Sequence, residues 1–326
     1  MLTRFRPDGF LLLLLAVLAF ATFLPVRGQA AVWFDYLTDA GITLLFFMHG
    51  AKLHRDAIVG GISAWRLHVL VLATTFVLFP LLGVATVSAL GSHIGPEVAD
   101  GFLFLCIVPS TVQSSIAMTS IARGNVPAAV CSASLSNVLG IVFTPMLAAL
   151  LISRGDAADG FFLSALTKVA TTLLLPFVLG HLARPLIGKF VDGHKKLVGR
   201  ADRGVILLVV YGAFSAAVVD GLWSRFSVWD LAMIVSLDSA LLAVVLFATW
   251  RVARALSMPK EDEAVLVFCG SKKSLASGVP MAGALFPPAQ VGIVVLPLML
   301  FHQLQLIVCS ALAQIYARRG EKAIPV

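Results

Sequence analysis

Residues 268–278 read FCGSKKSLASG. Two adjacent lysines, Lys272 and Lys273, stand in a run that is otherwise apolar or small, flanked by AVLV before it and VPMAGALF after it. In a bilayer each charge would cost about 2.5–3.5 kcal/mol at mid-depth, so the first question is whether a bilayer surrounds them. Composition answers it. The 326 residues are 59% hydrophobic and 13% charged, with a mean hydropathy of +0.97, whereas soluble domains carry roughly 25% charged residues. Runs such as 9–26 and 66–87 approach the ~20 apolar residues that cross a bilayer. Little loop remains for a soluble domain. The net charge of +7 reflects basic loops on one side of a membrane, not nucleic-acid binding.

Apolar runs separated by short Gly-, Pro-, Asp- and Lys-rich connections predict ten spans, near 9–26, 33–51, 66–90, 98–122, 126–152, 161–187, 203–220, 228–256, 262–285 and 290–317. With the N-terminus in the cytoplasm and alternating spans, Arg27, Arg154, Lys168 and Arg225 fall outside. Lys272 and Lys273 fall within the membrane, and the other eighteen Lys and Arg residues fall inside. That asymmetry supports ten spans with both termini cytoplasmic. RFR, an apolar run and GQA before Ala31 also resemble a secretory signal, but the run exceeds the 7–15 residues of a signal core. Cys106, Cys131, Cys269 and Cys309 lie in apolar segments without CxxC spacing or a His cluster, so they read as packing residues. No metal site or cofactor is expected.

QSSIA (113–117) in span 4 matches KKSLA (272–276) in span 9. These are equivalent places in two five-span halves, 1–152 and 161–318, of one transmembrane unit covering 1–326. Because five is odd, the second half would enter inverted, as in many secondary transporters. Both spans also carry helix breakers: Pro109 in span 4, and Gly270, Gly278 and Pro280 in span 9. Unwound backbone at membrane depth persists only where it lines a cavity or is buried in protein. The expected fold is therefore all-α, with ten transmembrane helices in two inverted five-helix repeats and broken, crossed helices 4 and 9.

The stretches LLFFMHGAKLHRD (44–56), VPSTVQSS (108–115), IARGNVPAAV (121–130), VFTPML (142–147), FCGSKKSLASGVPMA (268–282) and VLPLMLFHQLQL (295–306) resemble the bile acid:sodium symporter family, in its SBF-like bacterial branch. The resemblance implies a panel of spans 1, 2, 6 and 7, a core of spans 3–5 and 8–10, and an organic-anion substrate. Sodium-coupled members carry a glutamate followed closely by a glutamine in span 9 and Ser-Asn in span 4. This chain has Cys269-Gly270-Ser271-Lys272-Lys273 and Ser114-Ser115-Ile116 instead. A lysine repels sodium, so conventional two-sodium coupling is not expected. The coupling ion is left as proton or sodium.

An ammonium can occupy the electrostatic place of a bound cation. Two side by side disfavour each other's charge, so one lysine is expected to titrate, which suits proton coupling: protonated with the anion bound, neutral when the empty carrier returns. One lysine would face the substrate cavity and the other the former cation site, since adjacent helical residues point about 100° apart. Asp238, alone in IVSLDSALLAV, is the expected partner of one of them. The candidate substrate or coupling site comprises Gln113, Ser114, Ser115, Asn137, Asp238, Ser271, Lys272, Lys273, Ser274, His302 and Gln303. Gln305 shares a turn with the last two. Ser132, Ser134 and Ser136 read as helix-packing serines, Arg123 as an inner-surface loop cap, and His49 and His181 as interfacial. HExxH, DDxxD and GxSG are absent, and GISA (61–64) is only a partial match, so an enzyme is not expected. The leading reading is a secondary active transporter of a small organic anion in the lipid bilayer. The alternative is a membrane regulator of ion homeostasis or envelope trafficking. Oligomeric state, substrate and direction of transport are not legible.

Overall fold

The computed structural model describes residues 9–52, 64–90, 93–152, 167, 170–221 and 227–321. Arg4, Arg6, Arg154, Lys168, Arg225, the first three residues of GISA and the start of the expected sixth span lie outside them. The described residues form helices α1 (Gly9–Phe23), α2 (Gln29–Lys52), α3 (Trp65–Leu90), α4 (Pro96–Ile107), α5 (Gln113–Ile121), α6 (Val126–Leu151), α7 (Ala170–Gly193), α8 (Lys195–Val219), α9 (Val228–Ala255), α10 (Lys260–Gly270), α11 (Leu275–Leu285) and α12 (Pro288–Glu321). No strand occurs among them.

Seven of these helices, α2, α3, α6, α7, α8, α9 and α12, are long and apolar enough to cross a membrane. The remaining expected spans correspond to the shorter α1 and to two pairs of short helices, α4–α5 and α10–α11. Large apolar side chains point outward: Phe23 is 82% exposed, Leu186 87% and Val228 84%. Water would penalise so much apolar surface; lipid does not. The four cysteines are free and buried.

The chain falls into two compact units, and neither coincides with a sequence half. The first draws on Met1–Lys52, Thr167–Ser227 and Val279–Ile293. Its principal contact is between α2 and α7. A Cβ on Gly50 would fall on the carbonyl oxygen of Phe177, and one on Gly180 would fall on that of Phe47. Each helix thus offers a glycine to the other's backbone, the small-residue device of membrane helix pairs. His49 and His181 adjoin these glycines in sequence and are half-buried. Lys52 pairs with Asp202, and Arg184 with Asp192 at 3.1 Å.

The second unit draws on Leu53–Leu166, Val228–Gly278 and Val294–Val326. It buries Phe79, Phe102, Phe104, Phe268 and Phe301. Its α5–α6 corner explains the ARGNV motif. Gly124 N–H bonds to the Thr119 carbonyl at 2.8 Å, and Arg123 takes a left-handed φ of 57°, closing α5. Asn125 caps α6 by accepting from Ala128 N–H, and its Nδ2 donates to Asp262 at the start of α10 at 2.9 Å. Arg254 pairs with buried Glu263 at 3.1 Å, and the Tyr316 hydroxyl donates to the same carboxylate at 2.8 Å.

Candidate functional site

Both helix interruptions lie in the second unit, and each has a local cause. Val108 is extended, with φ −72° and ψ 155°, because the residue before a proline is pushed out of the helical region. Helix α4 therefore stops at Ile107 and α5 restarts at Gln113. On the other side α10 ends at Gly270, and Ser274 caps α11 by accepting from Ser277 N–H at 3.2 Å. The lysines sit in the gap of residues 271–274 between these helices. Gly278 and Pro280, expected at the interruption, instead lie inside α11. A Cβ on Gly278 would overlap Leu298, so this glycine permits close packing rather than a bend.

The unwound segments satisfy each other. Ser274 N–H donates to the Pro109 carbonyl at 2.8 Å. The Ser110 hydroxyl donates to the Cys269 carbonyl at 2.6 Å, the Thr111 hydroxyl to that of Lys273 at 2.7 Å, and the Ser115 hydroxyl to that of Phe268 at 3.1 Å. Helix α6 supplies the next partners. Ser136 Oγ accepts from Ser110 N–H at 3.0 Å, and Asn137 Nδ2 donates to the Ser110 carbonyl at 2.7 Å. The Ser277 hydroxyl donates to Asn137 Oδ1 at 2.6 Å. Helix α12 holds the other gap through Gln305. Its Oε1 accepts from Lys273 N–H and its Nε2 donates to the Lys273 carbonyl, both at 2.8 Å. The same Nε2 lies 2.8 Å from His302 Nδ1. That ring nitrogen is then the acceptor, because the backbone N–H fixes the amide's orientation.

Both lysines are fully buried. Lys273 Nζ donates to the carbonyls of Thr75 at 2.9 Å, Cys106 at 2.8 Å and Val108 at 2.8 Å. An ammonium has three N–H donors, so all are used. The Phe79 ring lies 4.2 Å from Nζ. The Cys106 and Val108 carbonyls are free because α4 ends beside them. The Thr75 carbonyl is free for a different reason. Helix α3 widens to a π-turn at Thr74–Leu78, where Phe79 N–H bonds Thr74 five residues back. The next donor in that register would be residue 80, which is proline and has no N–H. Lys272 Nζ donates to the Ser114 carbonyl at 2.9 Å and lies 5.9 Å from the Phe268 ring.

Asp238 is completely buried in α9, and neither carboxylate oxygen has a hydrogen-bond partner. The expected Asp238–lysine pairing is therefore not formed: neither carboxylate oxygen meets a lysine, and both ammoniums bond main-chain oxygens instead. Gln113 is exposed and Gln303 half-buried, and neither joins the network. Ser271 turns back to the Val267 carbonyl at 2.6 Å. Thr75, Ser110, Thr111, Ser136, Ser277 and Gln305 belong to the network although they were not among the candidates, as does Thr144, whose hydroxyl donates to the Ile107 carbonyl at 2.9 Å. The Pro-Ser-Thr sequence at 109–111 was the available signal for two of them. The pentapeptide alignment also fails in register. Gln113, first in QSSIA, opens α5, whereas Leu275, fourth in KKSLA, opens α11.

Helices with apolar exteriors and hydrogen-bonded interruptions around two buried ammoniums define a multi-pass membrane protein with a polar centre. The profile of the SBF-like CPA transporter family matches residues 8–318, and the chain belongs to that family. It is 54% identical to "Uncharacterized protein PA2026" of Pseudomonas aeruginosa, over 98% of this chain and 96% of that one. It is 51% identical to "Putative symporter YfeH" of Escherichia coli, over 97% and 94%. Identity to "Sodium/bile acid cotransporter 7" of Danio rerio is 25%, over 96% and 94%. That family is one of transporters, and the chain is accordingly a multi-pass membrane transporter.

Proposed function

We propose that the protein is a secondary active transporter of a small organic anion in the bacterial inner membrane, working by alternating access without conventional two-sodium coupling. The observation that carries this reading is the pair of interruptions bonded to each other, with two ammoniums buried between them. Unwound backbone of this kind is where secondary transporters place their substrates. The ten-span topology, the two inverted repeats and the crossing of the interrupted spans belong to the same reading. One parallel supports the repeat: Ser110 has its backbone N–H and carbonyl held by Ser136 and Asn137, and Lys273 has both held by Gln305.

The two lysines divide the work. Lys273 is the tethered cation, its three donors committed to carbonyls. Lys272 has one carbonyl acceptor, which leaves two N–H groups to meet a carboxylate or similar anion. The Ser114 hydroxyl, buried without a partner, is a second donor beside it. The names of the relatives, symporter and cotransporter, agree with coupled transport.

Thermal melts of the purified protein with a panel of organic anions, in sodium and in choline, test this. A ligand at 100 times its Kd adds about 2.7 kcal/mol. An anion that stabilises equally in both salts, and less so in Lys272→Met, is expected. Dependence on sodium would overturn the coupling assignment. Absence of counterflow of the stabilising anion in liposomes would overturn transport and favour a regulatory role.

A further inference from the structure

Lys273 and Asp238 are both completely buried, yet their surroundings are opposite. Every Lys273 ammonium proton meets a main-chain oxygen. If the group lost its proton, three carbonyls would compete for two N–H donors, so the cage fits the charged form. Asp238 meets no donor at either oxygen. An ionised carboxylate without donors is strongly disfavoured in such a place, whereas a neutral carboxyl is tolerated.

Helix α9 packs against α10, α4 and the π-turn of α3. Toward its C-terminal half, Leu246 and Trp250 pack against the cluster holding Cys309, Ala313 and Tyr316 of α12, whose ionisable groups there are Cys309 and Tyr316. From α4 the group facing Asp238 is the Cys106 thiol, which lies within electrostatic reach of both Asp238 and Lys273. The π-turn carries no titratable side chain. The ionisable groups of α10 are Lys260, Glu261, Asp262, Glu263 and Cys269. Glu263 pairs with Arg254 and Asp262 with Asn125, both at the far end of α9 and α10. Asp230, Arg251 and Arg254 of α9 itself lie toward its ends. Lys273 stands beyond Cys106 from Asp238, the thiol lying within electrostatic reach of both.

We infer that Asp238 is the proton-binding site of this protein, and that Lys273 is a fixed counter-charge rather than the titrating group. Only the use of this proton in coupling rests on the transport reading; its residence on Asp238 does not.

Infrared difference spectra of the purified full chain in lipid nanodiscs, taken between neutral and alkaline pH, test the inference. The wild type shows the carbonyl stretch of a protonated carboxyl at neutral pH, bleached by alkali. Asp238→Asn, the same shape as a neutral acid, lacks that band. Should this variant fail to fold, labelling the wild type with carboxyl-13C aspartate must shift the band. A band that is absent, that survives in Asp238→Asn, or that does not shift with the label overturns the assignment. So does a melt raised by sodium in the wild type but not in Asp238→Asn, which would make Asp238 a metal-cation site. An intact band without anion counterflow would leave Asp238 as assigned and sink the transport reading instead.

Discussion

At the scale of single residues, Lys273 shows how a buried charge is retained without an acidic partner. Three carbonyls replace its hydration, and a Phe79 face closes the cage. Lys273→Met would remove a donor from each of three buried acceptors, each worth about 1–3 kcal/mol when orphaned. The lost cost of burying the charge offsets part of this, so a net destabilisation of about 3 kcal/mol is expected. Lys272→Met orphans one carbonyl and should cost about 1 kcal/mol. Melts of the two purified variants against wild type check the order; equal losses would refute the cage account.

At the scale of elements, the π-turn of α3 and the glycine pair of α2 and α7 are backbone devices with opposite purposes. The first exposes an acceptor and the second removes side-chain bulk. Pro80→Ala would restore an N–H able to take the Thr75 carbonyl, and so compete with Lys273. Contrary to the usual gain of about 3 kcal/mol from removing a helix-interior proline, this variant should be no more stable than wild type. A clearly higher melting temperature would show that Thr75 does not need to be free. Gly180→Leu must displace the Phe47 backbone and should cost at least about 2 kcal/mol. Gly204→Ala, in α8 with nothing within 4 Å of its added Cβ, should gain about 0.5–1 kcal/mol. Thermal melts distinguish the pair, and similar shifts would refute the close-approach reading.

At the scale of the whole molecule, the buried native cysteines give a quiet background for topology mapping. Arg27→Cys should react with a membrane-impermeant maleimide from outside intact cells, and Lys196→Cys only after lysis. Labelling of both from the same side would overturn the alternating ten-span arrangement.

Some of this architecture was legible because its causes are local. Apolar length shows the membrane, and Pro109 and Gly270 mark the interruptions because a missing N–H or a missing Cβ acts on its own turn. The lysines stood out because charge in an apolar run is rare. Their roles were not legible, because the partners of Lys273 are main-chain oxygens, which every residue carries and no sequence distinguishes. Gly278 and Pro280 looked like breakers, yet the helix runs through them once Ser274 caps it and Leu298 packs on the glycine. Asp238 looked like a lysine's partner, and only the tertiary structure decided otherwise. Composition and breakers thus determined a helical membrane protein interrupted at two points. The fold alone decided which distant backbone each side chain reaches, because a hydrogen bond depends on separation in space rather than along the chain.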